Sequence, residues 1–242
     1  MIGFDIFNDI EGTGIDGVKK PIRDFAETER ARFTPTLVFY SVENERLLCI
    51  VGFYPPEKFR KVLAYVDSNH FSKMKLSEYL RQHTTQSSAS LKTDYTLFAK
   101  PPHNLKDDLR NNEKPLVVVF NRGGCAACER FDERILRDEE IRQLFSNFHA
   151  VQLDREDVST KIIDPKGRAI TPEQWTGELE LSYEPSILFF DGNGNEVHRL
   201  DSEVGRYRVL GSMEYVLAQG YKQYSQFQRW RRDQIIEQRQ AR

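Results

Sequence analysis

The chain has 242 residues, enough for one large domain or two small ones. With 39% hydrophobic and 30% charged residues, and sixteen Phe as core material, it reads as a soluble globular protein. A formal net charge of −2 argues against general nucleic-acid or membrane binding, and no window approaches the length of a membrane-spanning helix.

The first nine residues lack the basic segment and long apolar stretch of a secretory signal. Residues 4–9 read as a short strand, followed by a glycine-rich turn. Pro21 to Arg32 suits a helix, with Ile22, Phe25, Ala26 and Glu29 at helical offsets. Thr36 to Tyr40 is a buried strand after Thr34-Pro35, Glu43-Asn-Glu45 a polar turn, and Leu47 to Val51 its hairpin partner. Pro55-Pro56 opens a helix carrying Phe59, Val62, Leu63 and Val66, and a further amphipathic segment runs to about Gln82. Residues 84–103 have turn and linker composition around an apolar island, Tyr95 to Phe98. A domain boundary is expected there, giving 1–83, a linker over 84–103, and 104–242.

Beyond it, a short helix is expected over Asn104 to Arg110 and a fully buried strand over Leu116 to Phe120. Gly123 and Gly124 break the strand, and Phe131, Ile135 and Leu136 then share a helical face up to about Arg137. Asp138 caps a second helix carrying Ile141, Leu144 and Phe145, and Phe148 to Leu153 is the next strand. Ile170 to Leu181 is mostly helical, with Thr171 as N-cap and Pro172 at the first position. Ser186 to Phe190 and Glu196 to Leu200 form a hairpin around Asp191-Gly-Asn-Gly-Asn195. That turn superficially matches a calcium loop, but Glu196 stands where the loop needs glycine, so it reads as a turn. A last helix from Gln226 has an apolar face of Phe227, Trp230 and Ile235, expected to pack on its own domain.

Three cysteines are too few for a disulfide scaffold. Cys49, in a strand-like run, reads as a small buried hydrophobe. Cys125 falls at the mouth of a strand-to-helix turn, with Cys128 one helical turn on. There the free N–H groups and the macrodipole favour a thiolate at Cys125, which makes it a nucleophile. Cys128 is spaced to attack a mixed disulfide formed by Cys125. A structural zinc site needs four Cys or His ligands, and neither His149 nor His198 stands at ligand spacing. The chemistry expected of this pair calls for no metal and no cofactor.

An internal repeat appears at a separation of 150 residues. Phe25 matches Trp175, Phe33 matches Tyr183, Pro35-Thr-Leu-Val-Phe-Tyr40 matches Pro185-Ser-Ile-Leu-Phe-Phe190, and Tyr65-Val66 matches Tyr215-Val216. Only the second copy is preceded by a strand and a cysteine-bearing helix.

A strand, a CxxC at a helix start, a β-α unit, an X-Pro strand, a hairpin and a closing helix resemble the thioredoxin-like superfamily. The resemblance covers about Leu105 to Lys222 and, from the second strand onward, the first half of the chain. Within the superfamily it looks most like the SoxW-type thioredoxin-related proteins, on Cys125-Ala-Ala-Cys128, the insertion from Asp164 to Pro172, and Tyr183-Glu-Pro-Ser-Ile-Leu-Phe-Phe-Asp191. It implies an α/β fold, a central mixed sheet flanked by helices, with one complete domain and a partial repeat lacking its opening β-α unit. It also implies a cis peptide before Pro185, and by the repeat before Pro35, with Glu184, Pro185 and Ser186 forming the substrate loop beside the cysteines.

The implied activity is thiol–disulfide oxidoreduction on protein or small-molecule disulfides, with Cys125 attacking and Cys128 resolving. The alternative is a redox-inactive binding or scaffold protein whose bridge is static or sensing. The implied partners are a protein thiol or disulfide substrate and a redox partner protein, with no nucleic acid, no membrane insertion, and association possible through the incomplete first domain. SoxW-like relatives are periplasmic, which makes that compartment the expectation, and the cytoplasm the alternative for a chain without a signal. The residues also depart from the pattern. Val119 stands where thioredoxins carry a buried Asp, and Glu184 brings a carboxylate towards Cys125, which disfavours its thiolate unless Arg122 or Arg130 offsets it.

Overall fold

The computed structural model describes residues 3–5, 10–15, 17–29, 31, 34–83, 89–111 and 113–240. They form two units, residues 1–52 with 222–242, and residues 53–221.

In the first unit the glycine-rich turn is itself a hairpin. Strands β1 (Glu11–Thr13) and β2 (Lys19–Pro21) pair antiparallel around Gly17, whose φ of 75° suits a residue without a Cβ. Residues 3–5 carry no regular structure, and the rest of the expected strand at 4–9 lies outside the described residues. Helix α1 (Ile22–Thr28) buries Ile22 and Ala26 and is shorter than the 21–32 span expected; residues 30, 32 and 33 are likewise outside the described residues. Strands β3 (Thr36–Tyr40) and β4 (Arg46–Val51) make the expected hairpin, its turn held by the Ser41 hydroxyl, which accepts the N–H groups of Glu43 and Glu45. Cys49 on β4 is half-buried and free.

The second unit begins with helices α2 (Pro56–Asp67) and α3 (Leu76–Gln82), which bury Val62, Tyr65, Leu76, Tyr79 and Leu80. Both lie within the 1–83 span of the expected division, while the compact unit that holds them runs from residue 53 to 221. The physical reason is in their contacts. Tyr54, just before α2, lies 2.6 Å from the Ser182 hydroxyl, Lys75 pairs with Glu180 at 3.0 Å, and Arg81 pairs with Glu173. The apolar island in the expected linker is anchored as well. Phe98 is buried edge-on to Phe145 at 6.0 Å, and the Ala99 N–H donates to the Ala150 carbonyl at 2.8 Å.

After α4 (Leu105–Asn111) comes β5 (Leu116–Asn121), all six residues buried. It is followed by α5 (Ala126–Phe131), whose axis continues through a π-type turn over Asp132–Leu136, then α6 (Glu139–Phe145) and β6 (His149–Asp154). A small hairpin, β7 (Ile162–Ile163) with β8 (Ala169–Ile170), occupies the insertion and has no hydrophobic alternation to announce it. Buried Asp164 holds its turn, accepting from the Lys166 and Arg168 N–H groups and the Arg168 guanidinium. Helix α7 (Pro172–Glu178) starts with a capping box, in which the Thr171 hydroxyl accepts from the Gln174 N–H and the Gln174 side chain accepts from the Thr171 N–H. Strands β9 (Ser186–Phe190) and β10 (Glu196–Leu200) turn around Asp191, which accepts from the Asn193 and Asn195 N–H groups as an Asx turn. Helix α8 (Arg206–Leu217) closes the unit. The C-terminal helix α9 (Phe227–Gln240) belongs with the first unit rather than the second, its Gln228 amide donating to the Thr34 carbonyl at 3.3 Å.

The sheet runs β10-β9-β5-β6, with β5 and β6 parallel and the other pairs antiparallel. Central β5 is covered on both faces, which is why its sequence is an unbroken apolar run. Leu116, Val118 and Phe120 face Leu105, Leu109 and Trp175 in one core, where Phe120 and Trp175 meet edge-on at 5.3 Å. By the period-two alternation Val117 and Val119 point the other way. On that face Phe189 stacks on His198, which bonds the Ser212 hydroxyl of α8 at 3.0 Å. This is a thioredoxin-like fold, a central mixed sheet flanked by helices. Glu184–Pro185 and Thr34–Pro35 are cis, as the resemblance implies; Pro101–Pro102 is cis too, which nothing in the sequence announced.

Candidate active site

The site is built where β5 ends. Asn121 is fully buried, its carbonyl accepting from the Arg155 N–H and its side-chain oxygen from the Arg122 N–H. The two glycines that follow have different reasons to be glycine. A Cβ on Gly123 would lie 1.8 Å from the Ala89 carbonyl oxygen, so the 89–90 backbone crosses where a side chain would stand. Gly124 has φ of 64°, a left-handed conformation that turns the chain into α5.

Cys125 is the N-cap of α5, its sulfur accepting from the Cys128 N–H at 3.2 Å. The two sulfurs are bonded to each other, with the Cα atoms 5.1 Å apart. Cys125 is 5% exposed and Cys128 2%, and of the two it is Cys125 that lines a cleft.

Across from the pair lies the loop before β9. A Glu184 carboxylate oxygen is within 4.8 Å of both sulfurs. Arg122, itself buried, donates through Nε to this carboxylate at 2.7 Å, and the Arg155 guanidinium lies 3.4 Å away. Burial pushes the Glu184 carboxyl up, but Arg155, Lys58 and Arg122 outweigh it and hold it below the ordinary Glu range. The offset expected from Arg122 is therefore present, while Arg130 lies on the exposed side of α5, and Arg155 and Lys58 were not foreseen. Lys58 of α2 sits 4.2 Å from the Tyr183 ring centroid and 5.7 Å from that of Tyr54. Burial lowers its ammonium to about 8.

The loop's shape comes from two residues the sequence did not mark. Arg155 donates to the carbonyls of Tyr183 at 2.6 Å and Leu181 at 3.0 Å. Asp201 accepts from the N–H groups of Ser182 and Tyr183, at 3.0 and 2.8 Å. Ser186 is fully buried in β9, its hydroxyl 2.7 Å from the Tyr183 carbonyl and 2.8 Å from Asp201. Pro185 borders a hollow of about 390 Å³ shared with Ala127, Arg130 and Phe131.

Asp132 is the other residue missed. It stands one turn after Cys128, its N–H bonded to the Cys128 carbonyl, so the two side chains share a helical stripe. Burial raises its carboxyl to about 6, against a long hydrogen bond of 3.4 Å from the Asn121 amide. Its only sequence signal was the spacing of four from Cys128.

The sulfurs and Glu184 are close enough to bracket an ion on distance alone. The cations already gathered on Glu184 oppose a divalent ion there, and the sulfurs are spent on each other. The arrangement suits exchange at sulfur better than metal binding.

Residues 103–217 match the family model of a thioredoxin-like domain. Among solved structures, the chain is similar to a thioredoxin-fold protein from Helicobacter pylori, with 17% identity, 62% of this chain and 100% of that one covered, and a TM-score of 0.45. It is similar also to a DsbH oxidoreductase, with 15% identity, coverage of 56% and 95%, and a TM-score of 0.36. The C-terminal domain of Neisseria meningitidis DsbD in its reduced form matches with 16% identity, coverage of 45% and 87%, and a TM-score of 0.34. The segment carrying the CxxC thus lies within the residues that match a thioredoxin-like domain.

Proposed function

We propose that the Cys125–Cys128 pair performs thiol–disulfide exchange on protein or small-molecule disulfides. The observation that carries this reading is the bonded pair at the start of α5, with the Cys125 sulfur capping the helix and reaching a cleft while Cys128 lies behind it. In the reduced pair, the Cys125 thiolate attacks one sulfur of a substrate disulfide and expels the first thiolate. Cys128 then attacks the Cys125 sulfur, which re-forms the bond and expels the second. Arg122, Arg155 and Lys58 balance Glu184 so that the nucleophile is not opposed by an uncompensated carboxylate. Asp132 takes the Cys128 proton, a role Val119 cannot fill. Glu184, Pro185 and Ser186 form the loop along which the substrate lies. The test is reduction of insulin disulfides by the dithiol form, followed by turbidity, with Cys125→Ser as control. A wild-type chain no faster than that variant leaves the static-bridge scaffold as the reading.

We also propose the SoxW-like relationship and the partial repeat. Positive-φ residues recur at the same separation of 150, Asn44 with Gly194 and Asn69 with Gln219. Each half runs hairpin, helix and 3₁₀ turn in that order. The 1–83, 84–103 and 104–242 division describes that duplication. Limited proteolysis that spares 84–103 and cuts elsewhere first would sink it as a division of the folded chain.

Protein thiols or disulfides and a redox partner protein are the proposed partners, and the periplasm the proposed compartment on the SoxW resemblance. Among the described residues no helix is long and apolar enough to cross a membrane. Cell fractionation that recovers the chain with cytoplasmic markers would overturn the periplasmic assignment.

A further inference from the structure

The thioredoxin-like domain does not form the whole of its own active site. The cleft leading to Cys125 holds about 490 Å³, and one wall comes from α2 and α3, through Lys58, Lys61 and Leu80. That volume is in the range of small-molecule sites. Cys125 lines it and is only 5% exposed, so a slender sulfur compound reaches it more readily than a disulfide held on a folded protein's surface.

The lining has seven basic and five acidic side chains. Several basic groups are already committed, Arg81 to Glu173, Lys75 to Glu180, and Arg122 and Arg155 to Glu184. Lys58, Lys61 and Arg130 have no carboxylate within 4 Å among the described residues, Lys58 acting on Glu184 only from further off and Lys61 donating to the His83 carbonyl. Lys58 stands between two aromatic rings, where its charge is screened less than on an open surface. The Arg122 Nη1 is buried without a hydrogen-bond partner among the described residues, although the charge of this guanidinium is answered by Glu184 and Glu156.

Resting on the exchange reading, we infer that the cleft selects a carboxylate-bearing low-molecular-weight thiol as the co-substrate of the Cys125–Cys128 pair, with Lys58, Lys61 and Arg130 drawing its carboxylates. A thiolate of that compound attacks the Cys125 sulfur, breaking the bond, and Cys128 leaves as a thiolate and takes up a proton. A second thiolate attacks the compound's sulfur in the mixed disulfide and frees the Cys125 thiolate. Two small thiols are oxidised to one disulfide, and the protein bond is reduced to the dithiol.

The experiment measures the rate at which the oxidised full chain is reduced by glutathione and by uncharged 2-mercaptoethanol, each corrected for its thiolate fraction. The readout is the ratio of the two rates, in which any effect common to both thiols cancels. In Lys58→Met/Lys61→Met/Arg130→Gln the ratio falls about tenfold, and in the wild type it falls as salt is raised, since these charges are partly exposed. The salt series uses no variant and so stands if the triple variant fails to fold. A ratio indifferent to both changes overturns the inference and leaves the exchange reading intact, as does an acidic cysteine peptide reacting much faster than glutathione, which would make the cleft a peptide groove. A chain reduced by neither thiol overturns the exchange reading, and the inference with it.

Discussion

Arg122 and Glu184 meet at 2.7 Å in the space beside the two cysteine sulfurs, sixty-two residues apart in sequence. One comes from the end of β5, the other from the loop before β9, and the same carboxylate is within 4.8 Å of both sulfurs. The pair is a counterweight. Arginine supports a thiolate at Cys125 and glutamate opposes it, so the reactivity of the nucleophile depends on their balance.

Removing either partner should therefore move the reduced Cys125 in opposite directions. Glu184→Gln lowers its pKa by about one unit, and Arg122→Met raises it by about as much. Ultraviolet thiolate absorbance against pH, or the pH profile of iodoacetamide alkylation, measures both. Shifts of the same sign would show that the two residues do not act on the sulfur through their charges.

Asp132 supplies a second check. Its carboxyl is raised to about 6 from 3.8, so in the folded chain it holds a proton that the unfolded chain releases. The stability this contributes is present below about pH 4 and lost as pH rises through about 6. Asp132→Asn should gain roughly 1 kcal/mol over the wild type at pH 7, discounted for the partial exposure of the group. It should also slow the step at Cys128 by about tenfold or more, if the acid carries that proton. Urea unfolding at two pH values and the decay of a trapped mixed disulfide read the two effects separately.

His198 sets the acid limit. Enclosed by Phe189, Tyr215 and Ser212, its imidazole is lowered by burial to about 3 from 6.5. Between those values the unfolded chain binds a proton that the folded chain does not, so stability falls as pH is lowered, by up to about 1.4 kcal/mol per pH unit. In His198→Phe that part of the slope between pH 6 and 4 should vanish. An unchanged slope would assign the acid sensitivity to other groups.

Much of this architecture was legible because the sheet is central. A strand covered on both faces must be apolar throughout, and Leu116 to Phe120 is; helices with strong caps, such as those after Asp138 and Thr171, declared their starts. The cysteine pair and the Pro185 loop followed from order along the chain. What stayed hidden is what depends on distant partners. Nothing local to Asp201 or Arg155 marks them as braces of the Tyr183 loop, since their partners are carbonyl and N–H groups that every residue has. The contacts that tie the α2–α3 region into its unit, Tyr54 with Ser182, Lys75 with Glu180 and Arg81 with Glu173, join residues about a hundred positions apart and carry no local signal. Strand β7 is two residues long, too short for any period to register.

The contact between Gly123 and the Ala89 carbonyl gives a last expectation, for Gly123→Ala. A methyl group 1.8 Å from a backbone oxygen cannot be housed without moving one chain or the other. The variant should lose about 1–3 kcal/mol of stability, measured by urea unfolding.

The same contact alters how the region around residue 89 is to be regarded by anyone engineering the chain. Its serines and threonines advertise a place to lengthen, cut or fuse, the usual tolerance of a spacer. Yet at Ala89 and Ser90 this stretch lies against the turn that presents Cys125. A tag or insertion spliced in there would tug on the cysteine turn, and an activity lost that way would be mistaken for damage elsewhere in the chain.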